Sequence, residues 1–203
     1  MHPRDLTDEE QSEPGRFVWM AQPHAWLVTA DNLHQQAMLI AGQRGRGTLT
    51  RIDRDGTKSR WDAADRSVFL LGGFALENIL KAYLVYENPA WISNGTLARP
   101  LRSHELVRLS SMSKLLPPDD RGTWVLEQFE QGIETWARYP CGLTAVETAD
   151  QGALSNDLWD GYRRLMKTYA RALTVMLGQG WRGPHGFYGV SKIEDGFLSC
   201  LEA

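Results

Sequence analysis

Glu77, Asn78 and Lys81 stand out in an otherwise apolar stretch, VFLLGGFALENILKAYLVYEN, at residues 68–88. Glu77 and Lys81 are four residues apart with the acid N-terminal to the base, the order that pairs best on one helix face. On an exposed edge such a pair contributes about 0.3–0.5 kcal/mol. In an internal cleft it would orient a further group, because charges on an apolar helix are tolerated chiefly when partnered. His104 follows Ser103, a good N-cap, and precedes Glu105. That order places it at a helix start, where the dipole favours a neutral imidazole able to accept or relay a proton. Arg138 and Tyr139 precede Pro140 at the end of another apolar run, and a basic residue there also satisfies a helix C-terminus. If the fold brought them together, His104 and Arg138 would pair a proton acceptor with a fixed cation, a combination able to act on a phosphate ester. The same two with Lys81 could instead hold a phosphate without turnover, Glu77 and Asn78 lining the site and Tyr139 stacking on a base.

The elements that must position these residues are mostly helical. The run at 68–88 is apolar around most of its circumference, which predicts a central helix. A first helix is expected over 17–43, with Trp26, Leu27, Ala30, Leu33, Ala37 and Ile40 at helical spacing and Gly42 at its end. Residues 103–116 predict a shorter helix ended by Pro117. Residues 120–139 predict another, with Val125, Phe129, Ile133 and Trp136 on its apolar face and Pro140 as its stop. The last long helix is expected from Ser155 or Asn156 to Leu177, with Gly178 ending it and Arg163, Arg164, Lys167 and Arg171 on its polar face. Between the first two helices the character changes: 48–52 alternates, Asp55 and Gly56 form a turn, and 57–61 returns. The resulting expectation is an all-α fold, an antiparallel bundle of about five helices with a β-hairpin inserted at about 45–62. An acidic tail at 1–16 is expected to be disordered, and an irregular arm is expected at 178–203 with Trp181, Phe187, Tyr188 and Phe197 packing on the body or on another subunit.

Composition narrows the function classes. At 203 residues and a formal net charge of −3, one domain without a general positive coat is expected. The acidic start carries no apolar leader, and Gly72, Gly73, Glu77, Asn78 and Lys81 interrupt the apolar run, so a soluble cytoplasmic protein is expected. Cys141 and Cys200 form no disulfide framework. No Gly-rich loop followed by Lys, no His-Glu-x-x-His and no Gly-x-Ser-x-Gly is present. His24 and His34 are ten apart on the first helix and off a common face, so no metal and no cofactor are expected. The 22 basic residues comprise 17 Arg and 5 Lys, and Arg suits bidentate phosphate contact. Residues 41–60 hold six of them against Asp53 and Asp55, a local net of +4. A solvated loop and a phosphate-binding finger are both consistent with that charge.

Glu77, Lys81 and Ala82, then His104, Glu105 and Leu106, then Arg138, Tyr139 and Pro140, occur in an order and setting that resembles the HEPN (higher eukaryotes and prokaryotes nucleotide-binding) family over about residues 24–177. The resemblance implies an antiparallel helical bundle that often forms a homodimer. It also implies a role in defence or toxin–antitoxin systems, with nucleotide, RNA or a cognate protein such as a nucleotidyltransferase or antitoxin as partner. Catalytic relatives are metal-independent ribonucleases with Arg, four to six residues, then His on one helix. This chain offers Arg99 before His104, but Pro100 keeps that pair off a shared helix face. No His follows Arg138 at the required spacing. The implied reading is a binding or interaction module without the standard ribonuclease site. The alternative is an endoribonuclease that uses His104 with Arg138, or with Arg99, across a dimer.

Overall fold

The computed structural model describes residues 12–135, 137–149 and 154–193. Its order is α1 (Glu13–Met20), α2 (Pro23–Ala41), a hairpin of β1 (Thr48–Ile52) and β2 (Lys58–Asp62), and α3 (Asp65–Glu87). Two 3₁₀ turns follow (Pro89–Ile92 and Arg99–Arg102), then α4 (Leu106–Met112), α5 (Gly122–Glu134), α6 (Ala145–Ala149) and α7 (Asn156–Gln179). A second small hairpin, β3 (Trp181–Arg182) and β4 (Tyr188–Gly189), comes last. The fold is mostly helical with a two-stranded insertion after α2, as expected.

α3 is the centre of the molecule, with α2, α4, α5 and α7 packed around it. Its length and composition would suffice to cross a membrane, but its residues from Val68 to Val85 are largely enclosed by these neighbours. Gly72 and Gly73 let α5 come close: a Cβ on Gly73 would lie 2.1 Å from Ile133 Cγ2, and one on Gly72 2.8 Å from Phe129 Cε1. This contact fixes the C-terminal end of α5 against the polar face of α3. Phe69, Phe129, Tyr162 and Trp159 continue the seam, with ring centroids 4.9, 5.0 and 4.7 Å apart in sequence. Buried His34 on α2 shares a 2.8 Å hydrogen bond through Nδ1 with the Tyr162 hydroxyl.

Several expected boundaries move, each for a local reason. Residues 13–16 belong to α1, whose N-terminus is capped by the Ser12 hydroxyl accepting from the Gly15 amide; 1–11 lie outside the described residues. The expected 17–43 helix is two helices, because Pro23 lacks an N–H and Gln22 before it is extended. The helix expected over 103–116 spans only Leu106–Met112, and Ser103 accepts from the Glu105 amide instead of capping it. Its N-terminus is capped in tertiary structure by Glu130 of α5, which accepts from the Val107 amide at 2.9 Å. α5 stops at Glu134, so Arg138 and Tyr139 lie in a turn beyond it rather than in its last turn; Trp136 is outside the described residues. α7 runs to Gln179, ended by Gly180 at φ +100° rather than by Gly178. The arm is not irregular throughout: β3 pairs with β4, and Trp181 and Phe187 are buried. Phe197 and Cys200 lie outside the described residues.

Candidate functional site

Glu77 is the hub. Its side chain is 7% exposed and its two oxygens accept from different donors: Oε1 from Lys81 Nζ at 2.6 Å, and Oε2 from His104 Nδ1 at 2.9 Å. Lys81 is 5% exposed, and its ammonium also stands 5.8 Å from the centroid of the Trp26 ring on α2. The pair is therefore internal, the second of the two placements the spacing left open. His104 itself is 55% exposed. With Nδ1 occupied by Glu77, Nε2 is the nitrogen left for a ligand. A carboxylate that holds one imidazole nitrogen in this way fixes the tautomer and ring orientation of the other.

The expected setting of His104 at a helix N-terminus does not hold. It sits in the extended link between the 3₁₀ turn Arg99–Arg102 and α4, and its nearest charged partner is the Glu77 carboxylate. Arg99 is exposed in that 3₁₀ turn. The two do not share an α-helix, which removes Arg99 and His104 as a ribonuclease signature on one helix face.

Arg138 is brought to the same edge of α3. Its guanidinium lies 5.7 Å from the Phe74 ring centroid, one turn before Glu77. Arg138 and His104 both act electrostatically on Glu134, drawing its carboxyl down. Partial desolvation, followed by the like charges of Glu130 and Glu105, outweighs them and holds Glu134 above the usual carboxylate range. The turn carrying Arg138 is tethered by Arg66, whose guanidinium donates to the carbonyl oxygens of Tyr139 and Pro140. The Tyr139 ring is left 48% exposed. Asn78 is partly committed, its amide donating to the Phe74 carbonyl at 2.7 Å.

Two acids shape this edge that the motif reading passed over. Glu130 caps α4, and Glu134 lies within electrostatic reach of His104 and Arg138. Their signal was present as Glu127, Glu130 and Glu134, acids at helical spacing along α5. Trp26, read from spacing as a core residue, is the surface on which Lys81 rests. Among the described residues no group of three His, Cys, Asp or Glu is placed to hold a metal ion.

Comparison with protein-family models, curated proteins and solved structures returns no match.

Proposed function

We propose that the chain is an HEPN-like bundle that binds RNA or a nucleotide through its phosphate, using His104 Nε2 and the Arg138 guanidinium, without the standard ribonuclease motif. The observation that carries this reading is the buried Glu77, which neutralises Lys81 below and presents His104 above. Phosphate oxygens accept from the Arg138 guanidinium and, when both imidazole nitrogens carry protons, from His104 Nε2, and Tyr139 offers a ring for a base. Glu134 lies within electrostatic reach of both His104 and Arg138 and sets the strength of the site by competing with the ligand for them. A cytoplasmic defence module is the setting the resemblance implies.

The test is anisotropy of a fluorescein-labelled 20-nucleotide single-stranded RNA in EDTA, with wild type, H104A and R138A. A hydrogen bond to a charged group contributes about 1.5–3 kcal/mol, so each variant should weaken binding about tenfold or more. Unchanged affinity in both folded variants would overturn the reading.

One observation favours a second reading, cleavage. The Glu77 and His104 dyad has the arrangement of a general base, with Nε2 free to take a 2′-hydroxyl proton while Arg138 balances charge on the phosphorane. The same samples run on a gel decide it: product formed in EDTA by wild type and absent with H104A supports cleavage, and intact RNA leaves binding alone.

A further inference from the structure

The hairpin Thr48–Ile52 and Lys58–Asp62 contributes nothing to the core. All of β1 is exposed, and among the described residues the two strands pair only with each other. A ribbon of this kind is usually unstable alone, yet its base is built with care. The Asp62 carboxylate accepts from the amides of Gly45 and Ala64, and Ala63 donates to the Gly47 carbonyl at 2.8 Å. Arg44 ties the same base to Asp65 at 2.9 Å and to the Leu154 carbonyl. The ribbon is thus held outward from the N-terminal end of α3.

Its charge is opposite to that of the rest of the chain. Residues 48–62 carry Arg51, Arg54, Lys58 and Arg60 against Asp53, Asp55 and Asp62, a net +1 on a chain of −3, which leaves −4 elsewhere. Arg54, Lys58 and Arg60 make no ion pair among the described residues; Arg60 donates to the Thr48 hydroxyl at 3.1 Å. Pairing places Lys58 opposite Ile52, Arg60 opposite Thr50 and Asp62 opposite Thr48, so both cations share one face with the Thr48 and Thr50 hydroxyls and with the Asp62 carboxylate, whose oxygens are engaged by the Gly45 and Ala64 amides. The other face carries Trp61 opposite Leu49, 46% and 64% exposed. Cations and hydroxyls suit phosphates, and an uncovered indole suits an unstacked base. An acidic protein surface would use the cations but gives no role to the bare ring.

We propose that this hairpin is a second contact for single-stranded RNA that crosses the outer edge of β2, with Lys58 and Arg60 on the backbone from one face and Trp61 stacking on a base at the other. The inference rests on the RNA reading of the His104 edge and extends it. Asp65 and Glu77 are twelve residues apart on α3, about 18 Å of helix, so one oligonucleotide can engage both places.

The experiment measures affinity of the same 20-nucleotide RNA against salt for wild type, K58Q/R60Q, W61A, W61F and H104A, with heparin as a polyanion lacking bases. Circular dichroism and melting temperature should match wild type in the hairpin variants, since they leave the core alone. K58Q/R60Q should flatten the slope of log K on log salt by about 1.4, the value for two lost phosphate contacts on a single strand. W61A should weaken RNA about five- to hundredfold without changing heparin binding, and W61F should recover most of the loss. Wild-type slope and affinity in both K58Q/R60Q and W61A would overturn the hairpin proposal. So would charge dependence alone, with W61A unaffected and heparin equal to RNA, which would mark a plain polyanion surface. If the hairpin variants match wild type while H104A is weakened, the hairpin contact falls and the His104 site stands. If wild type binds no RNA, both fall.

Discussion

Breaking the pair between Glu77 and Lys81 should be costly, and unequally so from its two ends. Both side chains are almost fully buried, with Nζ to Oε1 at 2.6 Å. Removing one member of a buried pair leaves an uncompensated charge and costs about 3–5 kcal/mol. The two truncations differ in what remains. Lys81→Met leaves Glu77 with the His104 donor at 2.9 Å, whereas Glu77→Gln leaves Lys81 with only an amide oxygen and the face of Trp26 at 5.8 Å. Glu77→Gln should therefore lie at the top of that range and Lys81→Met at the bottom. The double variant Glu77→Gln, Lys81→Met should lose less than the sum, because it buries no charge. Urea unfolding followed by tryptophan fluorescence reads this directly. With m of about 2–3 kcal/mol/M, Glu77→Gln should lower the midpoint by about 2 M, and the double variant by clearly less. Additive effects below about 1 kcal/mol each would show an ordinary solvated helix pair and would refute the buried-hub argument.

Three further outcomes follow from other contacts. His34 is fully enclosed and its pKa is lowered to about 4, by burial first and then by the charge of Arg163. Between pH 6.5 and 4 the unfolded chain takes up this proton and the folded one does not, so stability is full above pH 6.5 and falls by about 3 kcal/mol as pH drops through 4. Denaturant titrations at several pH values should show that slope in wild type and a flatter one in His34→Gln. Gly73→Ala drives a Cβ to within 2.1 Å of Ile133 Cγ2, an overpacking cost of about 1–3 kcal/mol. A melting temperature lower by several degrees is expected, and an unchanged one would mean that α5 shifts freely. Glu134→Gln removes a carboxylate that is held above its ordinary range. It should tighten RNA binding at pH 7 by anisotropy, and wild type should approach the variant as pH falls and Glu134 protonates.

The legible parts of the chain were those whose signal is local. The hairpin was written in alternation around Asp55 and Gly56, and the strands fall at Thr48–Ile52 and Lys58–Asp62. α3 and α7 were carried by long apolar faces, which packing and spacing specify together. Boundaries set by tertiary partners were not legible. Ser103 looked like a cap, but Glu130, 27 positions downstream, supplies the acceptor for the Val107 amide. At Pro23 the local signal was present and was outweighed by helical spacing on both sides. The site divided in the same way. The Glu77 and Lys81 pair follows from i, i+4 geometry, while His104 reaches Glu77 only because the link before α4 folds back onto α3. The role of Glu134 depends on where α5 ends relative to Arg138, a distance no spacing rule supplies.

In the proposed site Glu77 holds His104 Nδ1 and leaves Nε2 to meet phosphate. The measurement that tests this arrangement most directly is nitrogen NMR of the imidazole resonances during titration with a single-stranded RNA oligonucleotide in EDTA. A protonated Nδ1 on His104 is expected before RNA is added and is lost in Glu77→Gln, with a shift at Nε2 on binding. RNA binding that leaves both His104 nitrogens unchanged would contradict it.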